Sequence, residues 1–293
     1  MKQNNNFSPL PFYDDVMLQN HRQSYAYGAI YPLVMPSNFI IPFQLLVERK
    51  GSEPTKLEDV NIIDATGDED PVYIITDDIE RSGLEIVENV SENVDAVVYK
   101  GYLPLSFPME VGCYYMKIDT NNGTFYSDVF CVKKETENLL KIEWWDDENF
   151  EMDAGTIVYE NGYRNRLYFC AEIGKPEYQF EEEVEKRDGY VFPIKQISEK
   201  TYKFVILAPE YLLDAMRFIR MSDYVVITDK FGRVYHCDTF LLTAKWQTQG
   251  DLASVEIEFE TDTVAKKIGR QLVRRVASAG DYNEDFDNDY NNN

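Results

Sequence analysis

The sequence predicts a mainly β protein built in two halves. Three observations carry that expectation. Short runs rich in Val, Ile and Tyr recur between residues 40 and 262, with turn-forming Gly, Asn, Asp and Pro between them. Many of these runs alternate apolar and polar side chains, the period of a half-buried strand. Helical spacing of apolar residues is confined to 209–221 and 264–279. The expected architecture is an N-terminal immunoglobulin-like β-sandwich followed by a second β-rich (α+β) domain with one central helix.

A chain of 293 residues fits two domains of ordinary size. Its 44% hydrophobic and 14% aromatic content is enough for packed cores, which excludes a disordered chain. Acidic residues outnumber basic ones 52 to 29, for a formal charge of -23. A surface that negative repels nucleic acid and anionic lipid, so neither is an expected partner. Cys113, Cys131, Cys170 and Cys237 form no CxxC pair. Cys113 and Cys131 can face each other across a hairpin, but the pattern reads as isolated, buried, reduced thiols and points to a reducing cytosol. The opening "MKQNNNFSPLPFYDD" has no apolar h-region, so no export signal is expected. No apolar run reaches the roughly 18 residues of a membrane-spanning helix, so no membrane span is expected.

Residues 1–38 read as an extended arm, because Pro9, Pro11, Pro32 and Pro36 forbid a long helix. The arm is rich in Phe, Tyr, Leu and Met, so it packs either on its own domain as edge strands or in a groove of a neighbouring subunit. Residues 39–136 are the expected sandwich, with strands in "FQLLVERK", "VNIIDAT", "PVYIITD", "LEIVENV" and "DAVVYKG". "GCYYMKIDTNNGTFYSDVFCVK" predicts a hairpin whose Asn121, Asn122 and Gly123 tolerate positive φ. The polar "KKETENLL" marks the boundary.

Residues 137–263 open with the strands "KIEWW", "TIVYENG" and "NRLYFCAEI". "PEYQFEEEVEKRDGY" reads as an exposed, charged loop, and "EKTYKFVIL" as an alternating strand. A helix is expected over 209–221, with Pro209 in a tolerated first-turn position and Leu212, Met216 and Ile219 at helical spacing. "YVVITDKFGRVYHC" predicts a hairpin around Asp229 to Gly232. Two further strands, "DTFLLTAKW" and "ASVEIEFETDT", complete a meander.

In 264–279, Val264, Ile268, Leu272 and Val276 recur every fourth residue among Lys266, Lys267, Arg270, Arg274 and Arg275. That predicts a basic amphipathic helix, weakened by Gly269. The acidic residues 280–293 are expected to be disordered.

Glu256, Glu258, Glu260 and Asp262 occupy every second position of "VEIEFETDTV", with Val255, Ile257 and Phe259 between them. In a strand the apolar set enters the core and the carboxylates line the other face. Like charges about 7 Å apart along one strand repel, so they require water or cations beside them. The expected neighbours are solvent or a basic surface on another subunit. The bases of 264–279 are candidates for such an intersubunit contact, and the acidic tail is the alternative partner for them.

No catalytic signature appears. His21 and His236 are the two histidines. In "YHCD", His236 and Cys237 point to opposite strand faces and form no dyad, while His236 and Asp238 are too few ligands for a structural zinc. No Gly-rich phosphate loop occurs, so no nucleotide or other cofactor is expected. Trp144 and Trp145 in "EWWDDE" raise the possibility of a carbohydrate platform. Their side chains alternate, so at most one is exposed and the other is core.

The stretch from "KTYKFVILAPEYLLDAMRFIRMSDYVVITDKFGRVYHC" to "ASVEIEFETDTVAKKIG" resembles a family of structural proteins from phages and prophages of gut Bacteroidales. "LPFYDDVMLQNHRQSYAYGAIYPLV" and "LKIEWWDDENFEMDAGTIVYENGYRNRLYF" fit the same family. The resemblance covers most of the chain and rests on the order of these phrases. It implies a virion component of the tail, baseplate or head–tail connector, and carries over no catalytic residue. A sandwich, a second β domain, an aromatic arm and a charged C-terminal helix suit a ring-building subunit, so a homo-oligomeric ring is expected, partnered by itself and by other virion proteins and assembled in the host bacterial cytoplasm. A carbohydrate- or receptor-binding module of the virion is the alternative, and an enzyme is not expected.

Overall fold

The computed structural model describes residues 8–14, 33–65, 70–74, 83–101, 108–134, 139–152, 155–187, 190–246, 251–261 and 265–268. The first half contributes β1 (Phe12–Asp14), β2 (Leu33–Pro36), β3 (Phe43–Glu48), β4 (Leu57–Asp64), β5 (Pro71–Ile74), β6 (Leu84–Ser91), β7 (Val94–Tyr99), β8 (Gly112–Thr120), β9 (Gly123–Ser127) and β10 (Phe130–Lys133). They form two sheets. β3, β7 and β6 make one, and the other strands make a second sheet centred on β8. The sheets face each other across Phe43, Leu45, Val97, Val60, Ile62, Met116 and Ile118, all buried. This is the predicted β-sandwich.

The described ends of the arm pack on their own domain. β1 pairs with β9, and β2 runs parallel to β10. Leu10 and Met35 are fully buried. Residues 15–32 lie outside the described residues.

One local expectation needs correction. Cys113 and Cys131 are joined in a disulfide, not reduced. Eighteen residues separate them in sequence, but β8 and β10 are antiparallel neighbours that place Cys131 directly opposite Cys113, with Cα atoms 4.2 Å apart. In the β8–β9 turn, positive φ falls on Gly123 alone, at 152°. The asparagines are held by side-chain bonds instead. Asn121 Oδ1 accepts from Lys56 N at 2.8 Å, and Asn122 Oδ1 accepts from Lys50 N at 3.1 Å. They tie the hairpin to the segment after β3.

The second half contributes β11 (Leu140–Trp145), β12 (Phe150–Met152), β13 (Gly155–Ile157), β14 (Asn165–Phe169), β15 (Glu177–Arg187), β16 (Tyr190–Pro209), α1 (Glu210–Met216), a 3-10 turn (Ile219–Met221), β17 (Tyr224–Thr228), β18 (Val234–Trp246), β19 (Leu252–Thr261) and β20 (Ala265–Ile268). One sheet runs β14-β11-β17-β18-β19-β16-β15, and β20 also pairs with β16. The expected helix over 209–221 is α1 followed by the 3-10 turn, with Pro209 as N-cap. Its Leu212, Ala215, Met216 and Ile219 are buried in the core with Phe204, Ile206, Ile257 and Phe259. Asp229 builds the β17–β18 turn by accepting from Phe231 N and Arg233 N, each at 2.9 Å. Among the described residues, no helix is long and apolar enough to cross a membrane.

Two segments differ from expectation. The charged stretch expected as a loop over 176–190 is β15, paired with the outer part of β16 through eleven positions. It is exposed, as expected, but it is regular strand because β16 offers it a complete row of backbone partners. The segment 264–279, expected as a helix, begins as β20. β16 has twenty residues and β19 covers it only from Thr201 onward. The chain past β19 therefore meets an open stretch of β16, and Ala265 to Ile268 pair with Ser198 to Lys195. Backbone pairing overrides the helical spacing of the side chains.

The two halves share one hydrophobic core. The sheet of β3, β7 and β6 is covered on its second face by Ile157, Val158, Tyr159, Tyr163 and Phe218 from the second half. Cover on both faces explains why β7 is buried at five of its six positions, as in sheets sandwiched between layers. Gln44 bridges the halves: its Nε2 donates to Thr156 O at 2.6 Å and its Oε1 accepts from Val158 N at 2.9 Å.

Candidate assembly surface

β19 alternates as the sequence implies. Val255, Ile257, Phe259 and Thr261 are buried, and Glu256, Glu258 and Glu260 sit on the opposite, half-exposed face. Lysines of this chain's own strands meet them. Lys203 on β16 lies 3.4 Å from both Glu258 and Glu177, and Lys245 on β18 lies 3.4 Å from Glu256. The Thr239 hydroxyl bonds Glu260 at 3.2 Å. The carboxylates hold the Lys203 ammonium above its ordinary range: its bonds to Glu258 and Glu177 lead, with their charges adding to it. Val205, Leu207 and Leu241 lie on the same face and are exposed. Asp262 lies outside the described residues.

These ion pairs are exposed on both sides, so their net contribution to stability is small. The triple change Glu256→Gln, Glu258→Gln, Glu260→Gln is expected to leave the thermal midpoint within about 3 °C of wild type. Circular dichroism during heating measures this. Loss of the strand signal at 25 °C would show that the face is not a solvated one.

β15 and the outer half of β16 form a ribbon that stands in solvent. Glu177 through Val184 are all exposed. One face continues the acidic face of β19, because Thr201 pairs with both Glu260 and Glu177. The other face continues the core side of the sheet and carries Tyr178, Phe180, Val184 and Val191, with Phe180 73% exposed. The sequence signal for these residues was the alternation in "EYQFEEEV", masked by the density of glutamates.

Of the basic candidates, Lys266 is exposed on β20, opposite Ile197, and Lys267 holds the register position opposite Gln196. Arg270, Arg274 and Arg275 lie outside the described residues. The structure thus sets Lys266 beside the ribbon, not against the carboxylates of β19.

Trp144 is fully buried and can hold no sugar. Trp145 points to the other face, where Tyr224 stacks on it at 5.2 Å and the Arg164 guanidinium lies 4.0 Å from the ring centroid. The Trp145 ring thus already carries one aromatic and one cationic contact within the chain. His236 is exposed and Cys237 is turned toward the core, which places them on opposite faces as expected. His21 lies outside the described residues. No group of three or more His, Cys, Asp or Glu suited to a metal ion occurs among the described residues.

A cleft of about 270 Å³ opens between β14 and β16, lined by Leu33, Val34, Tyr168, Cys170, Val205 and Leu207 among others. The bond from Gly174 N to Lys203 O, at 2.8 Å, draws the chain after β14 toward β16 beside it. The cleft is the seam where the curled sheet nearly meets itself.

The fold and its exposed chemistry define a mainly β protein with one helix and a projecting ribbon of mixed charge. No family model matches the chain, and no curated protein matches it.

Proposed function

We propose that the chain is a structural subunit of a phage virion, forming a homo-oligomeric ring in the tail, baseplate or head–tail connector region. The observation that carries the reading is the ribbon of β15 and β16. β15 is exposed from Glu177 to Val184, and one face carries Tyr178, Phe180, Val184 and Val191, with Glu182 between Phe180 and Val184. Exposed apolar side chains gathered on one face of a projecting strand pair mark protein contacts. The order of phrases in the sequence, which resembles phage structural proteins, supports the virion setting. Other virion proteins are then its further partners, and assembly takes place in the host bacterial cytoplasm.

Two measurements test this. Light scattering on the purified chain is expected to give a mass several times that of the 34.2 kDa protomer. Mass spectrometry of purified particles is expected to recover its peptides. A strict monomer together with particles free of the chain removes the reading.

A further inference from the structure

The ribbon has two open edges of opposite charge, and we propose that these edges pair between neighbouring copies of the chain. The inference rests on the homo-oligomer reading above and names the contact that would build it.

The outer half of β16 lies between β15 on one side and β20 on the other. β15 carries Glu177, Glu181, Glu182, Glu183 and Glu185 against Lys186 and Arg187 at its end, a net acidic strand of eleven residues. β20 reads Ala-Lys-Lys-Ile, has no acid, and leads in sequence toward Arg270, Arg274 and Arg275. The polarity shows in the two central rows across the three strands. Glu181 pairs with Ile197, which pairs with Lys266. Glu182 pairs with Gln196, which pairs with Lys267. These two of the four rows have a glutamate at one edge and a lysine position at the other; the remaining two run Phe180–Ser198–Ala265 and Glu183–Lys195–Ile268.

Among the described residues, neither β15 nor β20 has a strand on its outer side. An open edge presents unpaired N–H and C=O groups that pair readily with another strand. Both edge strands run antiparallel to β16, so they run in the same direction as each other. Setting one copy beside the next brings the basic edge of the first against the acidic edge of the second. The pair is parallel and head-to-tail, the heterologous kind of contact that closes into a ring when its rotation closes. A second copy fits better than an unrelated partner because both complementary edges belong to one chain and lie in the same rows. Opposite charges facing across strands favour this pairing, and like charges oppose it. The contact is exposed to salt, so it weakens as ionic strength rises.

The test uses two edge reversals of the full chain, E181K/E182K and K266E/K267E, with E181Q/E182Q as a neutral variant. Mass photometry reads assembly, and circular dichroism checks the fold. Wild type is expected to assemble, more weakly as salt rises. Each reversal makes both edges alike, and is expected to raise the dissociation constant at least tenfold. The neutral variant is expected to fall between. Mixing the two reversed chains in equal amounts restores opposite edges, so assembly is expected to return. Variants that assemble as well as wild type overturn the edge contact and leave the ring reading standing. So does a mixture that stays dispersed while wild type assembles. A wild type that remains monomeric overturns the edge contact, and together with particles free of the chain it overturns the ring reading as well.

Discussion

Asp95→Asn is expected to destabilise the protein by about 3–5 kcal/mol, the usual result of breaking a buried ion pair from one side. Asp95 on β7 is fully buried. Arg49 clasps it through two bonds, Nε to Oδ2 at 2.7 Å and Nη2 to Oδ1 at 2.5 Å. Thr55 N and Asn89 N also donate to it, at 2.7 and 2.9 Å. One carboxylate thus pins β7 to the segment after β3 and to the end of β6. Burial by itself raises the Asp95 pKa, but the Arg49 bond and then the amides of Asn89 and Thr55 more than reverse it, and the group titrates far below the ordinary carboxylate range.

The pH consequence follows from that direction. In acid the unfolded chain takes up a proton at this group while the folded chain resists, so protonation favours unfolding. The contribution of Asp95 is complete above about pH 5 and is lost as pH falls through about 4 and below. Denaturant titrations of wild type and D95N at several pH values check this. The gap between the two is expected to stay constant from pH 6 to about 5 and to narrow from there toward pH 2. A constant gap would mean that the pair contributes nothing specific to the charged form.

Gln44→Leu is expected to cost about 3 kcal/mol, because it strands Thr156 O and Val158 N in the interior and each unpaired buried group costs about 1–3 kcal/mol. Gln44 is 1% exposed, so water cannot replace the lost partners. The two bonded groups lie in and just after β13, more than a hundred residues away in sequence. Nearby, a Cβ on Gly155 would fall 2.2 Å from Leu46 Cδ1, so the lobes are in tight contact at this seam. The expected readout is a loss of hydrogen-exchange protection that spans β3, β7 and β13 together. Loosening confined to residues 155–158, with no loss of overall stability, would show that the lobes are energetically separate.

The alternating and apolar runs were enough to locate most strands. "VEIEFET" is the clearest case: its period alone assigns Val255, Ile257 and Phe259 to the core and the glutamates to the other face. Trp144 and Trp145 follow the same rule, although alternation did not say which of them was core. The helix over 209–221 was legible because Leu212, Met216 and Ile219 keep helical spacing after a proline. Where expectation failed, the missing information was the identity of a distant neighbour. "EYQFEEEVEKR" is a strand because β16 runs alongside it. "AKKI" is a strand because β19 stops short of the end of β16. Cys113 and Cys131 are joined because β10 returns beside β8.

Composition and periodicity, which are local properties of the chain, determined that this protein is mainly β, acidic and carries one helix among its strands. Tertiary structure alone decided which strands are edges, which glutamates meet Lys203 and Lys245, and that Gln44 joins the halves. The physical reason is that a strand's backbone must find its hydrogen-bond partners on another segment, and the sequence of one strand does not name that segment.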